Sequence, residues 1–212
     1  GGVVVAMNPQ YQEREIDFQV KDSGLDVLIS LRGSQGLVEK VRQTAAIRLV
    51  IYTDIEDAFT LSDPHALSDT PGDDLPEPIT TIDLMDFLLH AQECSLPSIS
   101  PEDPAVFQYS GGTTGIPKAA IGQHRNLVAN TIQFSTWLSG LQNGREVVLT
   151  AIPLFHVYGM VIAMSMGVSI GASLVLIPNP RDMHELLNSI QTYRATLFPG
   201  VPNMYNAINQ YP

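Results

Sequence analysis

Residues 108–120 read Gln-Tyr-Ser-Gly-Gly-Thr-Thr-Gly-Ile-Pro-Lys-Ala-Ala, and they follow the extended apolar run Ala105-Val106-Phe107. Three glycines in this stretch let the backbone turn tightly and bring bare N–H groups against a ligand. Two threonines add hydroxyl donors, and Lys118 adds one mobile positive charge. This combination of donors suits the polyphosphate of a nucleotide. We therefore predict a strand at 105–109, a phosphate-binding loop after it and a return strand at 118–122.

The surrounding charges make Lys118 unusual. The chain has only three lysines, and no Lys or Arg lies between Arg48 and Lys118, a stretch that holds more than half of the acidic residues. A lysine in that position favours a bound anion, although a glycine-rich hairpin with an ordinary surface lysine is the simpler alternative. The loop is not a Walker A sequence, because two residues separate Gly115 from Lys118 and an alanine follows the lysine.

Strands and helices alternate along the chain, which predicts an α/β fold with layered sheets flanked by helices on both faces. A long acidic loop at 53–80 and a proline-rich connector at 95–104 interrupt this alternation. We therefore predict a first, partial α/β subdomain at 1–100 and a second at 101–212 that carries the phosphate-binding loop. The predicted strands are 3–7, 25–31, 47–52, 105–109, 118–122, 146–151, 172–177 and 195–198. The predicted helices are 11–22, 35–45, 81–91 (with Thr81 as its cap), 125–138, 158–169, 183–193 and 202–209.

Composition narrows the class of protein further. A chain of 212 residues with 44% hydrophobic content can bury a sizeable core, and a net charge of −11 argues against nucleic acid as a partner. The single cysteine, Cys94, excludes an internal disulfide and favours a reducing, cytoplasmic location, with a structural thiol as its expected role. The apolar run 157–177 contains three glycines and predicts a buried helix and strand, not a transmembrane segment.

The stretch Tyr-Ser-Gly-Gly-Thr-Thr-Gly-Ile-Pro-Lys at 109–118 resembles the phosphate-binding signature of the adenylate-forming enzymes. That superfamily includes acyl-CoA synthetases, luciferases and the adenylation domains of peptide synthetases, and the double glycine is most similar to its long-chain fatty acid–CoA ligase branch. Three further stretches match the family in the same order, namely Gly2-Val3-Val4-Val5-Ala6-Met7-Asn8-Pro9, Pro153-Leu154-Phe155-His156-Val157-Tyr158-Gly159 and Phe198-Pro199-Gly200-Val201-Pro202. One departure is Ala119, where the family usually has glycine.

The resemblance implies part of the N-terminal domain of an enzyme that activates a fatty acid or another carboxylate with ATP. The product would be an acyl-adenylate, from which the acyl group passes to coenzyme A. The loop's donors would neutralise charge on the leaving pyrophosphate, and Mg²⁺ would bridge the same oxygens. The remaining histidines show no metal-ligand spacing, so we predict no metal site made of protein ligands alone. The nucleotide-binding residues implied are Ser110, Gly111, Gly112, Thr113, Thr114, Gly115 and Lys118.

By the same resemblance, Lys118 and His156 are the expected catalytic residues. His156 follows a predicted strand, and ligand sites in open α/β sheets gather at the carboxyl ends of strands. A core histidine bonded to backbone is the alternative for His156, and plain core packing is the alternative for Met160 and its neighbouring methionines. Some long-chain ligases resemble this region but carry a gating tryptophan near the position of Met160. The substrate-binding residues implied are His156, Tyr158, Gly159 and Met160 on one wall and Pro199, Gly200 and Val201 on the other.

The chain stops before several later motifs of the family, and it opens without a methionine or a basic leader. We therefore expect an internal fragment without ligase activity of its own, with exposed apolar surface that favours self-association. The resemblance also leaves peripheral membrane association of the full-length parent open. Three alternatives remain: an aryl- or amino-acid-activating enzyme, a P-loop NTPase, and a non-catalytic module that binds an acyl group or a nucleotide.

Overall fold

The computed structural model describes residues 1–57, 80–91, 94–110 and 117–211. The chain divides into two compact units, one formed by Met7–Pro97 and one formed by Gly1–Ala6 together with Ser98–Pro212. The predicted division near residue 100 differs from these units in one respect. The first strand belongs with the second unit, because Val4 pairs with Val106 on a strand of that unit. Most of the acidic loop 53–80 lies outside the described residues.

Strands and helices alternate along the described chain, so the predicted α/β class is confirmed. The strands are β1 Val4–Val5, β2 Val27–Leu31, β3 Leu49–Thr53, β4 Thr81–Asp83, β5 Pro104–Ser110, β6 Lys118–Gln123, β7 Val147–Thr150 and β8 Ser173–Leu176. The main helices are α1 Glu13–Ser23, α2 Gln35–Arg42, α3 Leu84–Leu89, α4 His124–Trp137, α5 Met166–Ser169, α6 Met183–Tyr193 and α7 Pro202–Gln210, with a 3₁₀ turn at Arg32–Ser34 and a π-helix at Gly159–Ser165. Within the described ranges, no helix has the length and apolar character needed to cross a bilayer.

In the Met7–Pro97 unit, β2, β3 and β4 form a parallel sheet with β3 in the middle. Its core includes Val41 of α2 and Val50 of β3, both fully buried. The predicted helix 81–91 is wrong in its first turn, since Thr81 pairs with Val50 and the helix begins only at Leu84. Burial of the β-branched Ile82 in the sheet outweighs the helical pattern there, so Thr81 is not a helix cap.

Two small sheets belong to the second unit. Strand β5 lies between β1, which runs parallel to it, and β6, which runs antiparallel. Strands β7 and β8 form a parallel pair, and Leu197 adds a single parallel bridge to Val148 on β7. The predicted strand 195–198 is therefore reduced to one bridge. Pro199 follows it and has no N–H to donate to a ladder, which limits the pairing.

The predicted helix 158–169 forms with a different geometry. Its first part is the π-helix, in which the Ser165 hydroxyl donates to the Met160 carbonyl oxygen at 2.8 Å, five residues earlier. π-helical turns are rare and occur frequently at functional sites. Val161 of this segment packs in a core with Val106 of β5, and Phe134 of α4 packs against that core. The π-helix is thus held against the strand that leads into the glycine-rich loop.

Candidate active site

Strands β5 and β6 form the hairpin predicted around the glycine-rich loop. Ser110 is the last residue of β5, Lys118 is the first of β6, and the two are paired across the ladder. The Ser110 hydroxyl donates to the Lys118 carbonyl oxygen at 3.5 Å, and both side chains are exposed. The five predicted nucleotide-binding residues Gly111, Gly112, Thr113, Thr114 and Gly115 lie outside the described residues.

Gln108 connects this hairpin directly to the segment that carries His156. Its side-chain Nε2 donates to the carbonyl oxygen of Phe155 at 3.1 Å in a partly buried position. This role of Gln108 was not predicted from the sequence, although a signal for it existed. An amide side chain on an otherwise apolar strand needs a hydrogen-bond partner when it is buried. The contact links two stretches that are 47 residues apart in the chain.

His156 lies in a tight turn that follows β7. Its N–H donates to the Pro153 carbonyl oxygen at 3.1 Å, and its own carbonyl oxygen accepts from the Met160 N–H at 2.9 Å. The Tyr158 N–H donates to His156 Nδ1 at 3.2 Å. Because Nδ1 accepts this hydrogen bond, the neutral ring carries its hydrogen on Nε2. His156 is exposed, which contradicts the alternative of a core histidine.

Gly159 is required by the geometry of the same turn. A Cβ atom at this position would lie 2.4 Å from the Pro153 carbonyl oxygen, far closer than van der Waals contact allows. Its neighbour Met160 is buried and packs in the core with Val106 and Val161. Met160 thus contributes to the core, and Met166 is fully buried as well.

Tyr158 joins the turn to the segment 198–202. Its hydroxyl donates to the Gly200 carbonyl oxygen at 3.3 Å across 42 residues of sequence. Burial raises the pKa of the Tyr158 phenol above its ordinary value, and the nearby phenol of Tyr205 raises that pKa further. Both effects disfavour the phenolate, so Tyr158 keeps the hydrogen that it donates to Gly200 at neutral pH.

A cavity of about 510 Å³ opens beside Tyr158. Its walls come from β5, β6, helix α4 and the π-helix, and the apolar part of the lining is much larger than the polar part. Of the predicted substrate-binding residues only Tyr158 lines it, whereas His156, Gly159, Met160, Pro199, Gly200 and Val201 do not. Gly200 is connected to it through its hydrogen bond from Tyr158. Asn126 and Asn130 are polar lining residues that the sequence analysis missed. The lining residues are Val106, Gln108, Ala120, Ile121, Gly122, Asn126, Leu127, Asn130, Phe134, Val157, Tyr158, Val161 and Ile162.

No candidate metal centre is evident in the part of the chain that the structure describes. There, no group of three His, Cys, Asp or Glu side chains is placed so that it could hold a metal ion. Mg²⁺ usually binds through few protein ligands together with substrate phosphates and water.

The family of the chain follows from comparison with known proteins. The sequence model of the AMP-binding enzyme family matches residues 1–212, so the chain belongs to that family. The predicted membership of the adenylate-forming superfamily is therefore confirmed.

The chain is also similar to individual members of the family. It is 32% identical over its whole length to a long-chain-fatty-acid–CoA ligase of Bacillus subtilis (strain 168), of which it covers 39%. It is 31% identical, again over its whole length, to 4-coumarate–CoA ligase 2 of Oryza sativa subsp. japonica, of which it covers 36%. The chain thus spans less than two fifths of the length of these relatives.

Solved structures agree on the fold. All of the described fold superposes on ATP-bound MatB from Rhodopseudomonas palustris with a TM-score of 0.77 at 21% identity, covering 100% of this chain and 37% of that one. At this identity the likeness establishes the architecture alone. The predicted fold, part of the N-terminal domain of an adenylate-forming enzyme, is confirmed.

Proposed function

We propose that this chain is part of an ATP-dependent acyl-CoA ligase that acts on long-chain fatty acids. The enzyme would join a carboxylate to the α-phosphate of ATP and release pyrophosphate. The thiol of coenzyme A would then displace AMP from the acyl-adenylate. Support comes from the family membership and from the relatives at 31–32% identity that are named as CoA ligases.

The observation that carries the proposal is the hydrogen bond from Gln108 to Phe155. Gln108 precedes Ser110 by two residues, and Phe155 precedes His156 directly. The bond therefore keeps the phosphate-binding hairpin next to the turn that carries the exposed imidazole. A reaction between a carboxylate and a nucleotide phosphate needs these two groups of residues at a fixed distance and orientation, because orientation of the reactants is itself a large part of catalysis.

The side chains at this site suit the charges of the reaction. Lys118 would stabilise negative charge on the departing pyrophosphate, and the hydroxyl of Ser110 and the donors predicted at 111–115 would share this role. Mg²⁺, when bound, would neutralise the same phosphate oxygens. His156 would place its Nε2–H toward the carboxylate or the adenylate and orient it.

The apolar tail of the substrate would occupy the cavity beside Tyr158. Its volume of about 510 Å³ lies within the range of about 300–1,000 Å³ that is typical of small-molecule sites. Burial of methylene groups there would supply about 0.8 kcal/mol each, which favours a long acyl chain.

The direct test is carboxylate-dependent exchange of pyrophosphate into ATP, measured on the full-length protein with acids of increasing chain length and with aryl and amino acids. Exchange that rises with chain length supports the proposal. A preference for aryl acids would support the second candidate, an aryl-acid–CoA ligase, which the similarity to the rice 4-coumarate–CoA ligase favours. Absence of exchange with every acid would contradict both and leave a non-catalytic binding module. ATP hydrolysis without any acid would instead indicate an NTPase.

Lys118→Ala should lower the exchange rate by about 100-fold, the typical effect of removing one donor that stabilises charge in the transition state. The free energy of unfolding should change by less than about 0.5 kcal/mol, because the side chain is exposed. Lys40→Ala is the matched control, since Lys40 is also an exposed lysine and lies in the other unit. Equal exchange rates in the two variants would contradict a role for Lys118.

Gln108→Leu tests the observation on which the proposal rests. Loss of the bond to Phe155 should lower exchange by about tenfold, because the hairpin and the His156 turn lose their direct connection. Gln133→Leu, at an exposed position of α4, is the control substitution. An unchanged exchange rate in Gln108→Leu, with its folding verified by circular dichroism, would show that the contact is not needed.

A further inference from the structure

Tyr205 holds the segment 198–200 through three separate contacts. Its hydroxyl donates to the Phe198 carbonyl oxygen at 2.8 Å. Its ring packs edge-on against the Phe198 ring, with 5.6 Å between centroids and 71° between planes. It also lies so close to Gly200 that a Cβ there would meet Tyr205 Cζ at 2.8 Å. The ring of Tyr205 therefore fills the space that a larger residue at position 200 would need.

The carbonyl oxygens of this segment accept hydrogen bonds from tyrosine side chains. Leu197 still bonds through its backbone to Leu149 of β7, and Val201 accepts from the first turn of α7. Between them, Phe198 accepts from Tyr205 and Gly200 accepts from Tyr158. Pro199 lies between these two acceptors and has no N–H of its own to add a backbone bond.

Only one of the two tyrosines lines the candidate substrate cavity. Tyr158 lines the cavity, whereas Tyr205 does not line it and is 42% exposed on α7. Tyr205 reaches the cavity through the segment 198–200, because that segment offers the Gly200 carbonyl to Tyr158. A shift of this carbonyl would remove the partner of the Tyr158 hydroxyl, and an unpaired, partly buried hydroxyl is unfavourable.

We propose that Tyr205 is a positioning residue of the substrate cavity: its hydrogen bond to Phe198 places the Gly200 carbonyl, which in turn fixes the Tyr158 ring in the cavity wall. The inference rests on the proposed function, since it takes this cavity as the site of the acyl group. Tyr205 acts on carboxylate binding and leaves binding of ATP phosphates to the hairpin, because among the described residues its side-chain hydrogen bond and its ring contact are with Phe198 and not with β5 or β6.

The test compares wild type, Tyr205→Phe, Tyr158→Phe and the double variant in the full-length protein. Tyr193→Phe serves as the control, because Tyr193 is 55% exposed at the end of α6. The first measurement is hydrogen–deuterium exchange of peptides that cover 198–204, without any substrate. The second is the set of KM values for carboxylate and ATP in pyrophosphate exchange. The substitution Tyr205→Phe keeps the aromatic ring and removes only the hydroxyl that donates to Phe198.

We expect Tyr205→Phe to speed deuterium uptake in 198–204 at least about fivefold and to raise KM for the carboxylate about three- to tenfold, the range that one neutral hydrogen bond supports. KM for ATP should stay within about twofold, as in Tyr193→Phe. The double variant should raise the carboxylate KM by less than the product of the single effects, because both hydroxyls act on one segment.

The results separate this inference from the proposed function. Unchanged deuterium uptake in Tyr205→Phe overturns the inference whatever the enzyme does. Faster uptake that comes with equal shifts in the KM values for carboxylate and ATP also overturns the inference, since Tyr205 would then have a general structural role. The same holds if the KM effect of the double variant equals the product of the two single effects. A wild type that fails to exchange pyrophosphate with any acid overturns the proposed function and with it the assignment of the cavity.

Discussion

Two turns of the candidate site are held in different ways. Within the turn 153–160 the contacts are between backbone groups, with hydrogen bonds from His156 to Pro153 and from Met160 to His156 and with Gly159 against the Pro153 carbonyl, and Gln108 adds one side-chain bond from outside. In the segment 195–200, Thr196 and Leu197 keep backbone bonds to β7, but the carbonyls of Phe198 and Gly200 are held by the side chains of Tyr205 and Tyr158. A backbone atom cannot move away from a new side chain without disturbing the turn, whereas a side chain can rotate to make room. We therefore expect the first turn to be intolerant of change and the second to be adjustable.

Gly159→Ala should have the largest effect. The new Cβ would lie 2.4 Å from a backbone oxygen that cannot move without breaking the turn, and overpacking of this kind costs about 3 kcal/mol of unfolding free energy. Urea unfolding would measure this loss, and pyrophosphate exchange should fall with it.

Gly36→Ala is the control for that prediction. Apart from the chain neighbours and backbone of helix α2, no atom of the described residues lies within 4 Å of a Cβ at Gly36, so the change should be neutral or stabilise by up to about 1 kcal/mol. Similar changes in unfolding free energy for Gly159→Ala and Gly36→Ala would contradict the expectation that the crowded glycine tolerates a Cβ less well than the open one.

Gly200→Ala should have an intermediate effect of about 1 kcal/mol, because the new Cβ meets the Tyr205 ring and not backbone. Combining it with Tyr205→Leu, which removes the ring, should cost less than the sum of the two single changes. A double-mutant cycle by urea unfolding measures this coupling. Additive values would mean that the 198–200 segment is as rigid as the first turn.

Thr196→Val should have the smallest effect, visible mainly in the pH dependence of stability. Hydrogen bonds from the Thr196 hydroxyl and from the Gln142 N–H hold the pKa of Glu146 below its ordinary value. The carboxylate therefore contributes stability above the unfolded-state pKa, and this contribution is lost as the pH falls through the lower folded-state pKa.

Removing the Thr196 hydroxyl should reduce the loss of stability between neutral and acidic pH, because the folded-state pKa of Glu146 then moves toward its unfolded value. Thermal unfolding at a series of pH values measures the slope. Thr196→Ser keeps the hydroxyl and should behave like wild type. Identical slopes in the valine and serine variants would show that Thr196 does not hold the segment 195–200 through Glu146.

The two turns also differ in how well the sequence predicts them. Gly159 and His156 lie in one short motif, which was correctly predicted to follow a strand. The role of Gly200 depends on Tyr158 and Tyr205, and only the general position of this segment was predicted. Met160 was predicted on the substrate wall, and the structure adds that it packs in one buried cluster with Val106.

The ends of several helices were predicted from residues at or next to those ends. Helix α6 has the predicted bounds Met183–Tyr193, since Asp182 accepts from the Glu185 N–H at its start and Arg194 adopts a left-handed conformation at its end. Helix α7 begins at Pro202, as predicted, because proline favours the first turn. Strand β4 was missed, because its three residues become a strand only when β3 pairs with them.

The sequence by itself determined the family, the α/β alternation, the position of the hairpin around the glycine-rich stretch and the ends of several helices. These depend on residues close together in the chain, where glycine, proline and capping side chains act locally. Only the tertiary structure decided that Gln108 meets Phe155, that Tyr158 meets Gly200 and that a cavity opens between α4, the hairpin and the π-helix. These contacts join residues more than 40 positions apart, and packing, not local preference, brings such residues together.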